Sequence, residues 1–328
     1  MKNASERGRP NSDESRPATH AILIVGAGGM LGTALTRMAP SRGYAPHAYT
    51  EAQLDITDRE AVRNVVAEFT IGAAEAQVAA AVVNAAAYTD VEKAEEDADR
   101  AFLINETAPG WLAEAAQENG LAFVHVSTDY VFDGLKGEPY GENDVPNPLS
   151  VYGASKLAGE QAVLSAHPDA LVVRTAWTYG LGGTSFPLKI IQRARGLVAD
   201  VVEAVGQFEP GRNPKPPVLR VVADEIGSPT YSVHLAEGLL GLLSRGASGL
   251  YHLAGTGSCS RYELALETLR LAGFDVHSDL EVEPVSAADF VTKAARPPTA
   301  VLDCGKASEL GVRLPLWQKG LAQFVAEV

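Results

Sequence analysis

The stretch "AILIVGAGGMLGTALTRMAP", residues 21–40, decides how the chain is read. Five consecutive apolar residues, Ala21–Val25, fit a strand buried on both faces, as in a parallel sheet. The next seven, "GAGGMLG", set Gly26, Gly29 and Gly32 three apart, and the segment from Met30 has helical character until Pro40 stops it. Glycines between a strand and a helix permit a tight turn, close approach of backbone to a pyrophosphate, and close packing of helix on strand. The first amides of the helix then meet the negative charge. A plain flexible turn is the competing reading, and the strand–turn–helix context favours dinucleotide binding.

Working outward, strand and helix signals alternate. "YAPHAYT" (44–50) reads as a second strand containing Pro46, and 59–69 has helical spacing. Residues 78–87 form another buried strand, and 93–120 a helical stretch interrupted near Pro109 and stopped at Gly120. Then come a strand at 121–128, a helix at 152–166 and a strand at 170–177. This order predicts an α/β, Rossmann-like doubly wound parallel sheet, with ligands bound beyond the carboxyl ends of its strands.

After Gly180 the rhythm breaks. "GLVADVVEAVGQFEPGRNPKPP" (196–217) holds four prolines, and its second half is expected to be a surface loop. A short strand with a turn (218–231), a helix (232–244), a strand (249–255), a helix (260–272) and a last helix from about Trp317 follow. The expected division is a disordered N-terminal extension at 1–19, an NAD(P)-binding Rossmann domain at 20–180, and a smaller C-terminal α/β substrate lobe at 181–328. Elements within about 218–255 are expected to return to the main sheet.

Composition narrows the function. The chain has 328 residues, 46% hydrophobic and 21% charged, as in a globular protein with a sizeable core. A net charge of −14 argues against nucleic acid or an anionic membrane as the main partner. The two cysteines, Cys259 and Cys304, fit a reducing, cytoplasmic setting. No apolar run reaches the roughly 18 residues of a membrane span, and the polar N-terminus lacks the apolar core of a secretory signal.

Two further stretches carry chemistry. "VSTDYVFDG" (126–134) puts Ser127 and Thr128 at the tip of an apolar strand, and "SVYGASKLAGE" (150–160) puts Tyr152 and Lys156 on one helical face. Alone, the pair is also consistent with a half-buried tyrosine beside a solvated lysine. Thr128, Tyr152 and Lys156 together on a nucleotide-binding scaffold suit carbonyl reduction. The hydroxyl holds the carbonyl oxygen, the tyrosine donates a proton as hydride arrives, and the lysine cation draws the phenol, near 10 when free, toward working pH.

Several residues read as structural. Asp58 fits a helix N-cap, His125 a core position, and the acidic run 92–99 a solvated helix face. No H-E-x-x-H, paired C-x-x-C or G-x-S-x-G occurs, so neither a metal nor a nucleophile site is expected. The second strand ends without the acid or arginine that would choose between NADH and NADPH, which leaves both open.

Five stretches together, "GAGGMLG", "NAAAYTDVEKAE" (84–95), "STDYVFDG", "PLSVYGASKLAGE" and "RTAWTYG" (174–180), resemble the extended short-chain dehydrogenase/reductase family. "DEIGSPTY" (224–231) and "ARPPTAVLD" (295–303) carry the likeness into the second lobe, toward the branch that reduces dTDP-4-dehydro-β-L-rhamnose to dTDP-L-rhamnose. The resemblance implies NADPH or NADH as cofactor and a nucleotide sugar as substrate, and leaves a homodimer open. It implies Thr128, Tyr152 and Lys156 as the catalytic set, with Tyr152 and Lys156 also touching cofactor. Gly26, Gly29, Met30, Leu31 and Gly32 would meet the pyrophosphate, and Asp55 and Ile56 the adenine side. Ala87, Tyr88 and Thr89 would line the cofactor or the adjoining substrate edge, while Thr128, Asp129, Tyr152 and Trp177 would contact the sugar. On residue type alone, Trp177 reads as core. The chain departs from the family pattern at Asp90 and Glu225, and 197–216 is longer than the usual connection. Tyr130, where a dehydratase carries an acid, argues against dehydration. The rival functions are a nucleotide-sugar epimerase or other reductase, and a non-catalytic NADP-binding regulatory subunit like the beta subunit of methionine adenosyltransferase.

Overall fold

The computed structural model describes residues 19–205 and 215–328. The expected N-terminal extension, except Thr19, and residues 206–214 of the expected loop lie outside the described residues. The first half runs β1 (His20–Val25), α1 (Met30–Met38), β2 (Tyr44–Tyr49), α2 (Arg59–Glu75), β3 (Ala79–Asn84), α3 (Val91–Ala94), α4 (Ala98–Phe102), α5 (Ala108–Glu118), β4 (Ala122–Thr128), α6 (Val151–Ala166) and β5 (Leu171–Thr175). The second half comprises β6 (Thr178–Tyr179), α7 (Phe186–Val205), β7 (Val218–Val222), β8 (Ile226–Gly227), β9 (Thr230–Tyr231), α8 (Ser232–Leu243), β10 (Gly249–His252), β11 (Cys259–Ser260), α9 (Arg261–Leu271), β12 (Glu281–Val285), α10 (Gly305–Glu309) and α11 (Trp317–Val325).

Six parallel strands form the main sheet in the order β2-β1-β3-β4-β5-β10. Because successive strand residues alternate faces, Ile22 and Ile24 of β1 pack with α1 and α8 on one side. Ala21, Leu23 and Val25 pack with α2 and α5 on the other. Both faces are covered, which is why the strands read as unbroken apolar runs. This is the Rossmann-like α/β sheet expected. The strand order reverses between β1 and β3, the switch point where such sheets bind ligands. Among the described residues no helix is long and apolar enough to cross a membrane.

Local chemistry sets several element ends. Asp58 caps α2, its carboxylate accepting from the amides of Glu60 and Ala61. The helical interruption lies earlier than expected. Leu103–Thr107 forms a π turn, and Pro109 sits in the first turn of α5, where its missing N–H costs nothing.

The stretch 218–255 divides. Gly249–His252 joins the main sheet and α8 packs on it, but β7 pairs in parallel with β12 in a separate two-stranded sheet. The burial of β7 explains this: Leu219 and Val221 are inward while Val218 and Arg220 are exposed. A strand with one polar face cannot enter a sheet covered on both sides. Leu219 and Val221 instead pack with Ile190 of α7 and Leu269 of α9. Beyond β12 the chain returns to the first half, where Arg296 pairs with Glu92 at 2.6 Å and Tyr140 bridges Leu302.

Candidate active site

The glycine turn sits at the switch point. Gly26 has φ +83°, and a Cβ there would lie 2.5 Å from the amide nitrogen of Ala86, just after β3. A Cβ on Gly32 would lie 2.2 Å from the Gly26 carbonyl oxygen, so α1 can approach its own turn only without a side chain there. Gly29 is different. It is exposed, and a Cβ on it would meet nothing nearer than 3.6 Å. Packing therefore does not demand glycine at 29, whereas an anion lying on bare backbone would. The α1 N-terminus, 9 residues long in all, has no side-chain cap on its amides. Open amides beside exposed glycine fit a dinucleotide diphosphate.

The other residues expected around a cofactor are spread over neighbouring loops. Met30 is half-buried beneath Gly183, and Leu31 is part of the core. The Asp55 carboxylate accepts from the amide and hydroxyl of Thr57, which holds it below the ordinary carboxylate range. Ile56 turns its side chain into the core. Ala87, Tyr88 and Thr89 follow β3, and the Tyr88 backbone is clasped at both its N–H and its C=O by the Asn105 side chain. Asn105 belongs to the π turn and also donates to Ser155 Oγ at 3.0 Å, tying the loop after β3 to α6. Nothing in local sequence marks Asn105 beyond a polar residue in an apolar helix.

α6 brings the reactive groups to the tip of β4. Ser150 caps it by accepting from Gly153 N at 3.2 Å. A Cβ on Gly153 would lie 2.2 Å from the Tyr130 carbonyl, and one on Gly159 2.0 Å from the Asn105 carbonyl. These two glycines let α6 rest directly on the backbone of the segments flanking the site. Tyr152 then stacks edge-on against Tyr130, with centroids 5.4 Å apart, and its phenol is in hydrogen-bonding contact with Thr128. The Thr128 hydroxyl donates to Asp129 Oδ1 at 3.0 Å, while Asp129 Oδ2, fully enclosed, has no partner. Burial pushes Asp129 up to about 7, opposed by its bond from Thr128 and by the Arg261 cation. Beneath them, Glu160 accepts from Ser127 at 2.5 Å and from Arg174 at 2.8 and 2.6 Å, a buried support for the strand tips.

Lys156 is where the structure corrects the expectation. Its terminal nitrogen is not turned on the Tyr152 phenol but donates to the Val126 carbonyl at 2.6 Å and lies 3.4 Å from His125 Nε2. Burial lowers it to about 8, with Glu160 opposing. The Tyr152 phenol is therefore not drawn down toward working pH. Burial, with Asp129 and Tyr130 adding to it and the Thr128 bond opposing, raises it above its ordinary value. The shared helical face was legible; the direction of a four-carbon side chain was not. His125 is fully buried, as expected of a core position, yet it touches Lys156.

Trp177 lies just beyond β5 in a turn, with φ +43°. Its indole is wedged against Gly227, where a Cβ would approach to 2.4 Å. The Arg261 guanidinium covers one indole face at 3.5 Å from the ring centroid and is held by Glu225 at 3.5 Å. Glu225 thus has a partner for its charge, and Asp90, the other departure, caps α3 through Lys93 N. Arg261 was not singled out in the sequence. Among the described residues no group of three or more His, Cys, Asp or Glu is placed to hold a metal ion.

A glycine turn at the switch point of a doubly wound sheet, with threonine, tyrosine and lysine gathered two strands away, defines the extended short-chain dehydrogenase/reductase class. Comparison with known proteins narrows it. The chain belongs to the family described as RmlD substrate binding domain, which it matches over residues 20–205 and 211–328. It is 38% identical over 312 residues, 94% of this chain and 85% of the relative, to a dTDP-4-dehydrorhamnose reductase of Mycolicibacterium smegmatis. It is 33% identical over 306 residues to the spore coat polysaccharide biosynthesis protein SpsK of Bacillus subtilis, covering 93% of this chain and 97% of that one. A crystal structure of dTDP-4-dehydrorhamnose reductase from Bacillus anthracis in complex with NADP superposes with a TM-score of 0.81 at 33% identity, covering 94% of this chain and 99% of the other.

Proposed function

We propose that this chain reduces the C4 ketone of dTDP-4-dehydro-β-L-rhamnose to dTDP-L-rhamnose with NADPH or NADH, a step of cytoplasmic nucleotide-sugar biosynthesis. The observation that carries the reading is the 38% identity to a dTDP-4-dehydrorhamnose reductase over 94% of the chain. The bound cofactor supplies a hydride. Residues 20–180 would hold it, with Gly26, Gly29, Met30, Leu31 and Gly32 at its diphosphate, Asp55 and Ile56 toward the adenine, and Ala87, Tyr88 and Thr89 along its edge. Residues 181–328 would supply most of the sugar lobe.

The chain's own groups handle the proton. Tyr152 keeps its proton well above neutral pH, which suits a donor whose acceptor, an oxygen becoming an alkoxide, is more basic still. Thr128, whose single O–H is given to Asp129 Oδ1 in the free protein, would turn that hydrogen to the same oxygen when the ketone is bound, as donors aimed at developing charge stabilise it. Asp129, with one oxygen free, and Trp177, with its indole face, would orient the sugar. Lys156, fully buried one helical turn beyond Tyr152, is the group from which a spent phenolate regains a proton.

Loss of NADPH or NADH absorbance with dTDP-4-dehydrorhamnose tests the reading, and the cofactor giving the higher kcat/KM settles the preference. Tight cofactor binding with no turnover on any 4-keto nucleotide sugar would replace it with the regulatory-subunit reading.

A further inference from the structure

The surroundings of Lys156 contain a hydrogen-bond chain whose directions are fixed. The Ala86 backbone N–H donates to Asn84 Oδ1 at 3.1 Å. A backbone amide can only donate, so the oxygen of that side chain must face Ala86 and the NH2 must face the other way. There it meets His125 Nδ1 at 3.2 Å. An amide NH2 has no lone pair to offer, so Nδ1 is the acceptor and carries no hydrogen. The proton of the neutral ring then sits on Nε2, the atom 3.4 Å from Lys156 Nζ. Asn84, His125 and Lys156 are all at most 2% exposed, so no solvent rearranges these roles.

An Nε2–H cannot accept from an ammonium; it can donate to an amine. The amine of Lys156 can accept from His125 while giving one hydrogen to the Val126 carbonyl at 2.6 Å. We propose that Asn84 locks His125 as the Nε2–H tautomer and that His125, presenting a donor to Lys156 Nζ, is a positioning residue favouring the amine over the ammonium form of that lysine. The other charges near Lys156 are compatible with this. Glu160, one turn along α6, favours the ammonium but is itself bound by Arg174 of β5 and Ser127 of β4. Asn84 on β3 is uncharged, Tyr152 on α6 keeps its proton, and burial holds His125 well below its ordinary range, so it stays neutral. The lowering of Lys156 to about 8 has the same sense. The consequence is a lysine that exchanges its proton near working pH, as a group that must return one to Tyr152 needs to do.

This inference takes Lys156's role from the reductase reading, but its test needs no substrate. Side-chain nitrogen NMR of the whole protein reports the tautomer of His125, and the Lys156 Cε resonance, assigned by its loss in Lys156→Met, reports the lysine titration. The expected result is an unprotonated Nδ1 and a protonated Nε2 across about pH 6 to 9. In Asn84→Asp the carboxylate still accepts from Ala86 but also from an Nδ1–H, so the tautomer should invert and the Lys156 midpoint move to higher pH, to a proton concentration lower by tenfold or more. The same replacement in a His125→Phe background adds only the negative charge, and its shift should be clearly smaller. A wild-type His125 protonated at Nδ1, or equal shifts in the two backgrounds, would overturn the proposal. If the variants do not fold, the wild-type tautomer alone decides.

Discussion

At the scale of single residues, the site combines an acid that keeps its proton up to about 7 with a phenol that keeps its own well above that. Tyr152→Phe keeps the ring that stacks on Tyr130 and loses only the hydroxyl that carries the proton. Its kcat should fall by about 10² or more, while cofactor affinity from fluorescence titration stays near the parent's. Asp129 gives a pH signature in stability. The native carboxyl holds its proton up to about 7, whereas in the unfolded chain it ionises near 3.9. Between these values the native state binds more protons, so stability falls as pH rises from about 4 to 7 and stays reduced above. Asp129→Asn should therefore be more stable than the parent at pH 8, by about 1–4 kcal/mol, and nearly equal to it at pH 4. Thermal midpoints at the two pH values check this; a gain at pH 4 equal to that at pH 8 would exclude ionisation as its origin. Turnover should fall in the same variant, since stability given up at a site is commonly recovered when the site is removed.

Elements show which features of the sequence are local and which are not. The three glycines of the first turn are not equivalent. Gly32→Ala places a methyl 2.2 Å from a backbone oxygen and should cost about 2–4 kcal/mol in denaturant unfolding. Gly29→Ala has open space around it, so its unfolding free energy should stay within about 1 kcal/mol of the parent while the dissociation constant for NADPH rises. If both variants lose stability equally, Gly29 serves the fold and not the ligand. Reading the sequence sufficed for β1, β3, β4, β5 and the helix carrying Tyr152, because burial on both faces and helical spacing leave a local record. It also found the cap at Asp58. It did not reveal the π turn at Leu103–Thr107, whose buried Asn105 is justified only by partners at Tyr88 and Ser155. Nor did it reveal Arg261 over Trp177, which joins residues far apart in sequence, or the turning of Lys156 toward β4. Each depends on a tertiary neighbour that no window of sequence contains.

For the whole molecule, the two halves of the chain are interleaved and not strung in series. Leu235, Leu239 and Leu253 from the second half lie in the same core as Ile22, Leu35 and Val173 from the first. A fragment of residues 20–180, although it contains every residue proposed to hold cofactor, should lack a cooperative thermal transition and bind NADPH weakly. A sharp transition, read by circular dichroism, would show the first half to be self-sufficient. β10 sharpens the point, because it pairs with β5 along Leu171–Arg174 and closes that edge of the sheet. On the ribosome, synthesis is vectorial, and β5 is complete long before His252 has cleared the exit tunnel. Through that interval a hydrophobic strand waits with its outer edge unpaired, the situation in which nascent chains pair wrongly with one another. Yield in a cell should accordingly respond to translation speed across residues 176–252 and to the supply of chaperones that cover emerging chains, even where the finished protein is equally stable.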